Sequence, residues 1–190
     1  MIDYKTILSA KCVGIAGCGG LGSNCAVALA RVGIGKLIIA DFDEVTESNL
    51  NRQYFFLHQI GQKKVDALKE NIRLINPIVT IDAHPIKLIP ENIITLFKTC
   101  DVIVEAFDLA DQKQMLIETI LSDMTEKPLV SGIGLAGWGD SNAIKVKRIN
   151  NLYICGDATK EVSEEMPPLA PRVGIVANMQ ANVVLEILLK

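Results

Sequence analysis

The sequence predicts an α/β fold: a mainly parallel sheet with helices on both faces and antiparallel strands added at one edge. Three observations point to it. Apolar runs alternate with amphipathic stretches at the spacing of βα units. The first apolar run enters a glycine-rich turn, "VGIAGCGGLGSN", that opens a helix. After Gly134 the pattern changes to the apolar/polar alternation of "NAIKVKRI", followed by "NLYIC" across Asn150 and Asn151, a hairpin turn. With 190 residues, 49% of them hydrophobic, the chain is long enough to fold as one domain over 1–190.

The elements follow in order. Cys12 to Ala16 reads as a first buried strand, and Leu21 to Val32 as a helix stopped at Gly33 and Gly35. Lys36 to Asp41 is the second strand. A polar loop from Phe42 to Leu57, too long to be a mere connector, precedes a helix from Gln62 to Ile75 that closes before Pro77. "IVTIDAH" is a third strand, Pro90 to Phe97 a short helix and "DVIVEAF" a fourth strand. Ala110 to Ser122 carries helical apolar spacing, and "PLVSGIG" is the fifth strand. An acidic, Pro-rich loop from Gly156 to Pro171 leads into a last apolar helix, Val173 to Leu189.

Composition narrows the function. A net charge of -3 and a pI near 5.4 give no broad basic field, so nucleic acid is not an expected partner. Met1 to Lys11 carries charges where a signal peptide would be apolar, and Asn178, Gln180, Asn182 and Glu186 interrupt the last helix, so no membrane span is expected. The five cysteines are odd in number and form no C-x-x-C, which reads as a reducing, cytoplasmic chain without a disulfide framework or zinc.

In a doubly wound sheet the ligand sits beyond the carboxyl ends of the strands. Gly17, Gly19 and Gly22 fit G-x-G-x-x-G, in which the first glycine makes the turn, the second admits a phosphate and the third packs helix on strand. Both NAD and ATP use that design. Asp41 ends the second strand 19 residues after Gly22, where a carboxylate accepts hydrogen bonds from ribose hydroxyls; Asp43 lies on the same turn. A third cluster separates the two ligands. The long loop holds "SNLNRQ", with Asn49, Arg52 and Gln53; the next helix opens with "GQKK", bringing Lys64; and "EAFDLADQK" puts Asp108 at the end of the fourth strand. A triphosphate needs cations and a carboxylate that can hold magnesium, whereas hydride transfer needs a nicotinamide pocket and a proton donor or acceptor. Arg52, Lys64 and Asp108 suit the first. Taken singly, each has a structural alternative: a surface ion pair, a helix-face charge and a helix N-cap.

The combination "GCGGLGS", "DFDEVTESNLNRQ", "GQKK" and "EAFD" resembles the ubiquitin-activating-enzyme-like superfamily, in particular the ThiF and MoeB group that adenylates small sulfur-carrier proteins. The resemblance implies a Rossmann-like ATP-binding adenylyltransferase domain with Gly17, Gly19, Gly20 and Gly22 at the nucleotide and Asp41 on the ribose, with Asp43 and Gln53 nearby. It implies Arg52 and Lys64 on the phosphates, Asp108 on magnesium and Asn49 close to the reacting phosphate. The implied reaction is attack by the C-terminal carboxylate of a Gly-Gly-tailed carrier (ThiS-like) on the α-phosphorus of ATP, in thiamine biosynthesis, by a homodimer. Zinc is not expected, because the two C-x-x-C pairs of several relatives have no counterpart here. The loop before the last helix has no cysteine either, and Cys155 is a small buried residue before it is a nucleophile. The N-terminal arginine that longer relatives lend to a neighbouring subunit is missing, and Arg172 reads as a surface residue at the start of the last helix. An NAD-dependent oxidoreductase and a non-catalytic nucleotide-binding subunit are the competing readings. "GIGLAGWGD", with Trp138, is a candidate frame for the carrier tail.

Overall fold

The computed structural model describes residues 3–160 and 162–190, so the first two residues and one position of the acidic loop expected over 156–171 lie outside the described residues. The strands are β1 Cys12–Ala16, β2 Lys36–Ala40, β3 Thr80–His84, β4 Val102–Glu105, β5 Leu129–Ile133, β6 Lys145–Ile149 and β7 Leu152–Gly156. They form one sheet in the order β3-β2-β1-β4-β5-β7-β6. The helices are α1 Tyr4–Ser9, α2 Gly20–Arg31, α3 Lys64–Ile75, α4 Pro90–Phe97, α5 Ala110–Asp123 and α6 Ala170–Leu188.

The order reverses between β1 and β4. These two strands are paired in parallel, yet the chain leaves β1 toward β2 and β3 and leaves β4 toward β5. The gap between the diverging crossovers opens at the carboxyl ends of the strands, where this architecture binds ligands. Strand side chains alternate between two apolar cores. Val13, Ile15, Leu37 and Ile39 pack toward α2, α3 and α6 through residues such as Leu29, Leu68 and Val176. Ile38 and Ile103 pack toward α4 and α5 through Phe97, Leu116 and Ile120. Central strands buried on both faces explain why their sequences are unbroken apolar runs.

Two details go beyond the sequence expectation. Helix α1, six residues long, is too short to show a period; it is fixed by Asp3, which accepts the Thr6 N–H at 3.2 Å, and by Leu8, which is buried. The hairpin adds the expected antiparallel pair at one edge, and its second strand joins the sheet in parallel. Strand β7 pairs parallel with β5 and is mostly buried, while β6 pairs antiparallel with β7 and is exposed along its whole length. The turn itself lies where "NN" placed it, with Asn150 in the left-handed region at φ 53°. Alternation marks both segments as strands but does not name their partners.

Helix α2 departs from β1 so tightly that only glycine fits. Gly17 sits at φ +95°, and a Cβ on Gly22 would lie 1.8 Å from the Gly17 carbonyl oxygen. Gly22→Ala should therefore push α2 off the turn and lose about 1–3 kcal/mol, as overpacking of a rigid contact does. Urea unfolding of the purified variant measures this; an unchanged midpoint would show that the turn has room to relax.

Candidate functional site

At the carboxyl edge of the sheet lies a cleft of about 1040 Å³. Its lining includes Gly17, Gly19, Gly20, Asp41, Asp43, Arg52, Gln53, Lys64 and Asp108, which the sequence separates by up to 91 positions. Phe42, Ile86 and Leu88, carried beyond β2 and β3, add an apolar stretch.

The first wall is the glycine turn. The Gly17 N–H is held by the Ala40 carbonyl at 2.8 Å, and the first turn of α2 opens into the cleft. Asp41 lies just past the end of β2 and bridges two loops: Oδ2 accepts the Cys18 N–H at 2.6 Å and Oδ1 accepts the Asp43 N–H at 2.9 Å. Burial raises the Asp41 carboxyl above the usual carboxylate range, against the lowering by the Cys18 N–H and the Lys64 charge. Burial also pushes the neighbouring Cys18 thiol well up, so it is inert.

The second wall is the long loop, which is ordered by a buried amide pair. Gln59 Nε2 donates to Asn71 Oδ1 at 2.8 Å, and Asn71 Nδ2 donates to the Tyr54 carbonyl at 2.8 Å. Val45 and Phe55 sink into the core on either side. Two side chains of α2 draw the loop over the glycine turn: Ser23 Oγ accepts the Tyr54 N–H at 3.0 Å, and Asn24 Nδ2 donates to the Arg52 carbonyl at 3.0 Å. This places the Arg52 stem over Gly20, and it sets Gln53 Nε2 3.7 Å from where a Cβ on Gly19 would lie. The Arg52 guanidinium donates only to the Ser48 carbonyl at 3.2 Å and Asn51 Oδ1 at 2.8 Å, so among the described residues it has no carboxylate partner. Gln53 Oε1 is buried with no hydrogen-bond partner among the described residues.

Lys64, 8% exposed, opens α3 and donates to Asp43 Oδ2 at 2.8 Å, so its charge is already shared. Asp108 is exposed at the β4–α5 turn, and no hydrogen bond engages its carboxylate among the described residues. Leu109, instead of Asp108, occupies the N-cap position of α5. Two expected residues stand apart from the lining. Gly22 packs α2 on the turn, and Asn49 Oδ1 accepts the Thr46 N–H at 3.1 Å, closing a capping box that shapes the loop. In the structure Asn49 thus shapes the loop that carries Arg52.

The opposite wall was not legible as a site. Arg172 corrects the surface reading: it is 3% exposed, and its guanidinium donates to the Gly134 carbonyl at 2.9 Å, the Gly139 carbonyl at 2.7 Å and Asp157 Oδ2 at 2.6 Å. It clamps the segment after β5 to α6. Gly134 and Leu135 of "GIGLAGWGD" line the cleft, but Trp138 is exposed outside it. Cys155 is fully buried, and burial pushes its thiol up to about 12. The pair Glu105 and Lys113 likewise links a strand end to a helix with no local pattern to announce it.

Asp157 is held below the usual carboxylate range, first by the Thr159 hydroxyl and N–H and then by Arg172. A carboxyl lowered on folding adds stability that is complete above the unfolded value, about 3.9, and is lost as pH falls through the lower folded value. Urea midpoints followed from pH 6 to pH 2 should thus fall more steeply below pH 4 for the wild type than for Asp157→Asn; parallel profiles would show that the clamp is not linked to this proton.

The comparisons agree with the fold. The ThiF family model matches residues 3–190. Ubiquitin-like modifier-activating enzyme 5 of Bombyx mori is 38% identical over 143 residues, covering 69% of this chain and 36% of that protein. Adenylyltransferase and sulfurtransferase UBA4 of Kluyveromyces lactis is 32% identical over 184 residues, covering 92% of this chain and 40% of that protein. The chain thus spans well under half the length of these curated relatives. Among solved structures, E. coli tRNA N6-threonylcarbamoyladenosine dehydratase, TcdA, in complex with ATP has a TM-score of 0.88 at 21% identity, covering 97% of this chain and 88% of that chain, a likeness of fold. With a family match across all but the first two residues, this chain belongs to the ThiF family.

Proposed function

We propose that residues 1–190 form an ATP-binding adenylyltransferase domain that activates the C-terminal carboxylate of a small ubiquitin-like carrier protein. The observation that carries this reading is the Arg52 guanidinium. It has no carboxylate partner among the described residues, and its stem is held over the glycine turn. Names of relatives support the class of reaction: MoeZ of Mycobacterium tuberculosis and UBA4 are described as adenylyltransferases and sulfurtransferases. The TcdA and MccB structures were solved with ATP.

The cleft fits a nucleoside triphosphate on its own features. It offers a glycine turn at a helix N-terminus, an unpaired buried acceptor on Gln53, and a carboxylate, Asp41, whose burial makes it a strong acceptor for ribose hydroxyls. Among the described residues no group of three metal-ligating side chains occurs, and Asp108 offers one free carboxylate. That donor set suits magnesium, which keeps several waters and is held through one or two carboxylates and phosphate oxygens. Bound there, it would neutralise charge on the phosphates.

The protein's own work is positioning. A C-terminal carboxylate is ionised at neutral pH, since its pKa is about 3.3–3.7, so no general base is needed. His58 and His84 accordingly lie outside the cleft lining. Arg52 supplies a charge without a carboxylate partner to the phosphates, and Lys64 supplies a second by dividing its donors between Asp43 and them. Both are already in place, so little reorganisation is left to the reacting step.

ATP with magnesium should raise the unfolding midpoint of the wild type and NAD should not. At a hundredfold excess over Kd the gain is about 2.7 kcal/mol, worth about 2–4 °C per kcal/mol at this size. Arg52→Ala and Asp108→Ala should keep the fold, lose most of that rise, and lower pyrophosphate release about a hundredfold or more once a carrier is supplied. A midpoint raised by NAD alone would move the chain to the oxidoreductase reading.

A further inference from the structure

Lys113 is a cation of the cleft that the phosphate set does not use. It lies one turn into α5, and its ammonium donates to Glu105 Oε2 and, at 2.9 Å, to the Gly132 carbonyl. Both partners sit at strand ends, on β4 and β5. Glu105 is completely buried, and its carboxylate also accepts the Ser131 hydroxyl and, at 2.8 Å, the Phe107 N–H. Its carbonyl accepts Gln180 Nε2 at 2.9 Å, which ties the same residue to α6.

An ammonium has three N–H donors. Two are spent on Glu105 and Gly132. The Lys113 side chain keeps 21% of its surface exposed and lines the cleft beside Gly132 and Gly134, opposite the Arg52 wall. A buried ion pair is a weak source of stability compared with apolar packing of the same volume. A lysine anchored at two points with one donor left over is instead a prearranged receptor for negative charge, because nothing has to turn when the anion arrives.

We propose that Lys113 is a substrate-contacting residue whose third N–H receives an oxyanion of the reacting centre, with Glu105 and Ser131 as the positioning residues that aim it. The inference rests on the adenylation reading and adds to it a contact on the acceptor side. The oxyanion belongs either to the nucleotide α-phosphate or to the carboxyl group that joins it.

The test uses wild type and the double variant Lys113→Met/Glu105→Gln, which removes both charges so that none is stranded in the core. Calorimetry with adenosine, AMP and 5′-O-(N-glycylsulfamoyl)adenosine separates the sources. Adenosine should bind both proteins alike. A loss of about tenfold or more with AMP assigns the contact to the α-phosphate; the same loss confined to the glycylsulfamoyl compound assigns it to the acyl group. Equal affinities in both proteins, or an equal loss with adenosine, overturn the contact. Wild type that binds none of the three defeats the adenylation reading itself, and this inference with it. If the double variant does not fold, wild type carrying [13Cε]lysine gives the answer. The resonance missing from Lys113→Arg should shift with AMP or the glycylsulfamoyl compound and not with adenosine; a resonance unmoved by either overturns the proposal.

Discussion

The cleft exists because β1 and β4 lie side by side while their crossovers leave in opposite directions. Nothing can fill the space between diverging connections, so the carboxyl edge of the sheet stays open there. Gly17 and Gly22 let α2 begin immediately at that opening. Asp41 then locks the opening's width, since one carboxylate accepts an N–H from the turn after β1 and another from the turn after β2. Its burial is unfavourable for a charge taken alone; the two backbone donors are what keep it in place.

The charges around the opening fall into two kinds. Lys64, Lys113 and Arg172 are each paired to an acid, Asp43, Glu105 and Asp157, so they hold parts of the wall to one another. Arg52 and Asp108 carry no such partner among the described residues. A paired charge fixes geometry and keeps only its remaining donors for a ligand, whereas an unpaired charge keeps its whole field. A wall in which every cation was neutralised would give little electrostatic pull on phosphate, and one in which none was would repel itself in the absence of ligand.

What the sequence shows and what it hides follow the same division. β1, β2, β4 and β5 are legible because strands buried on both faces must be apolar throughout, and the glycine turn is legible because a close approach admits no other residue. Arg52, Lys64 and Asp108 are legible because they stand at element ends within short motifs. The capping of the loop by Asn49 is not legible, because only the folded loop shows its bond to the Thr46 N–H. Arg172 misleads outright. Near the start of an apolar helix it reads as exposed, and its burial depends on carbonyls 33 and 38 positions away and on Asp157.

The two sides of the cleft are thus built by different physics. The wall at the glycine turn is made of a tight turn and a loop that Ser23 and Asn24 draw over it. The wall at α5 and α6 is made of pairs between separate elements: Lys113 to Gly132, Arg172 to Gly134 and Gly139, Gln180 to Glu105. Long-range pairs tolerate a change at one end when the other end changes with it, whereas a turn with Gly22 against the Gly17 carbonyl does not. The glycine turn is thus written in a motif, and the far wall is written in partners that only the folded chain brings together.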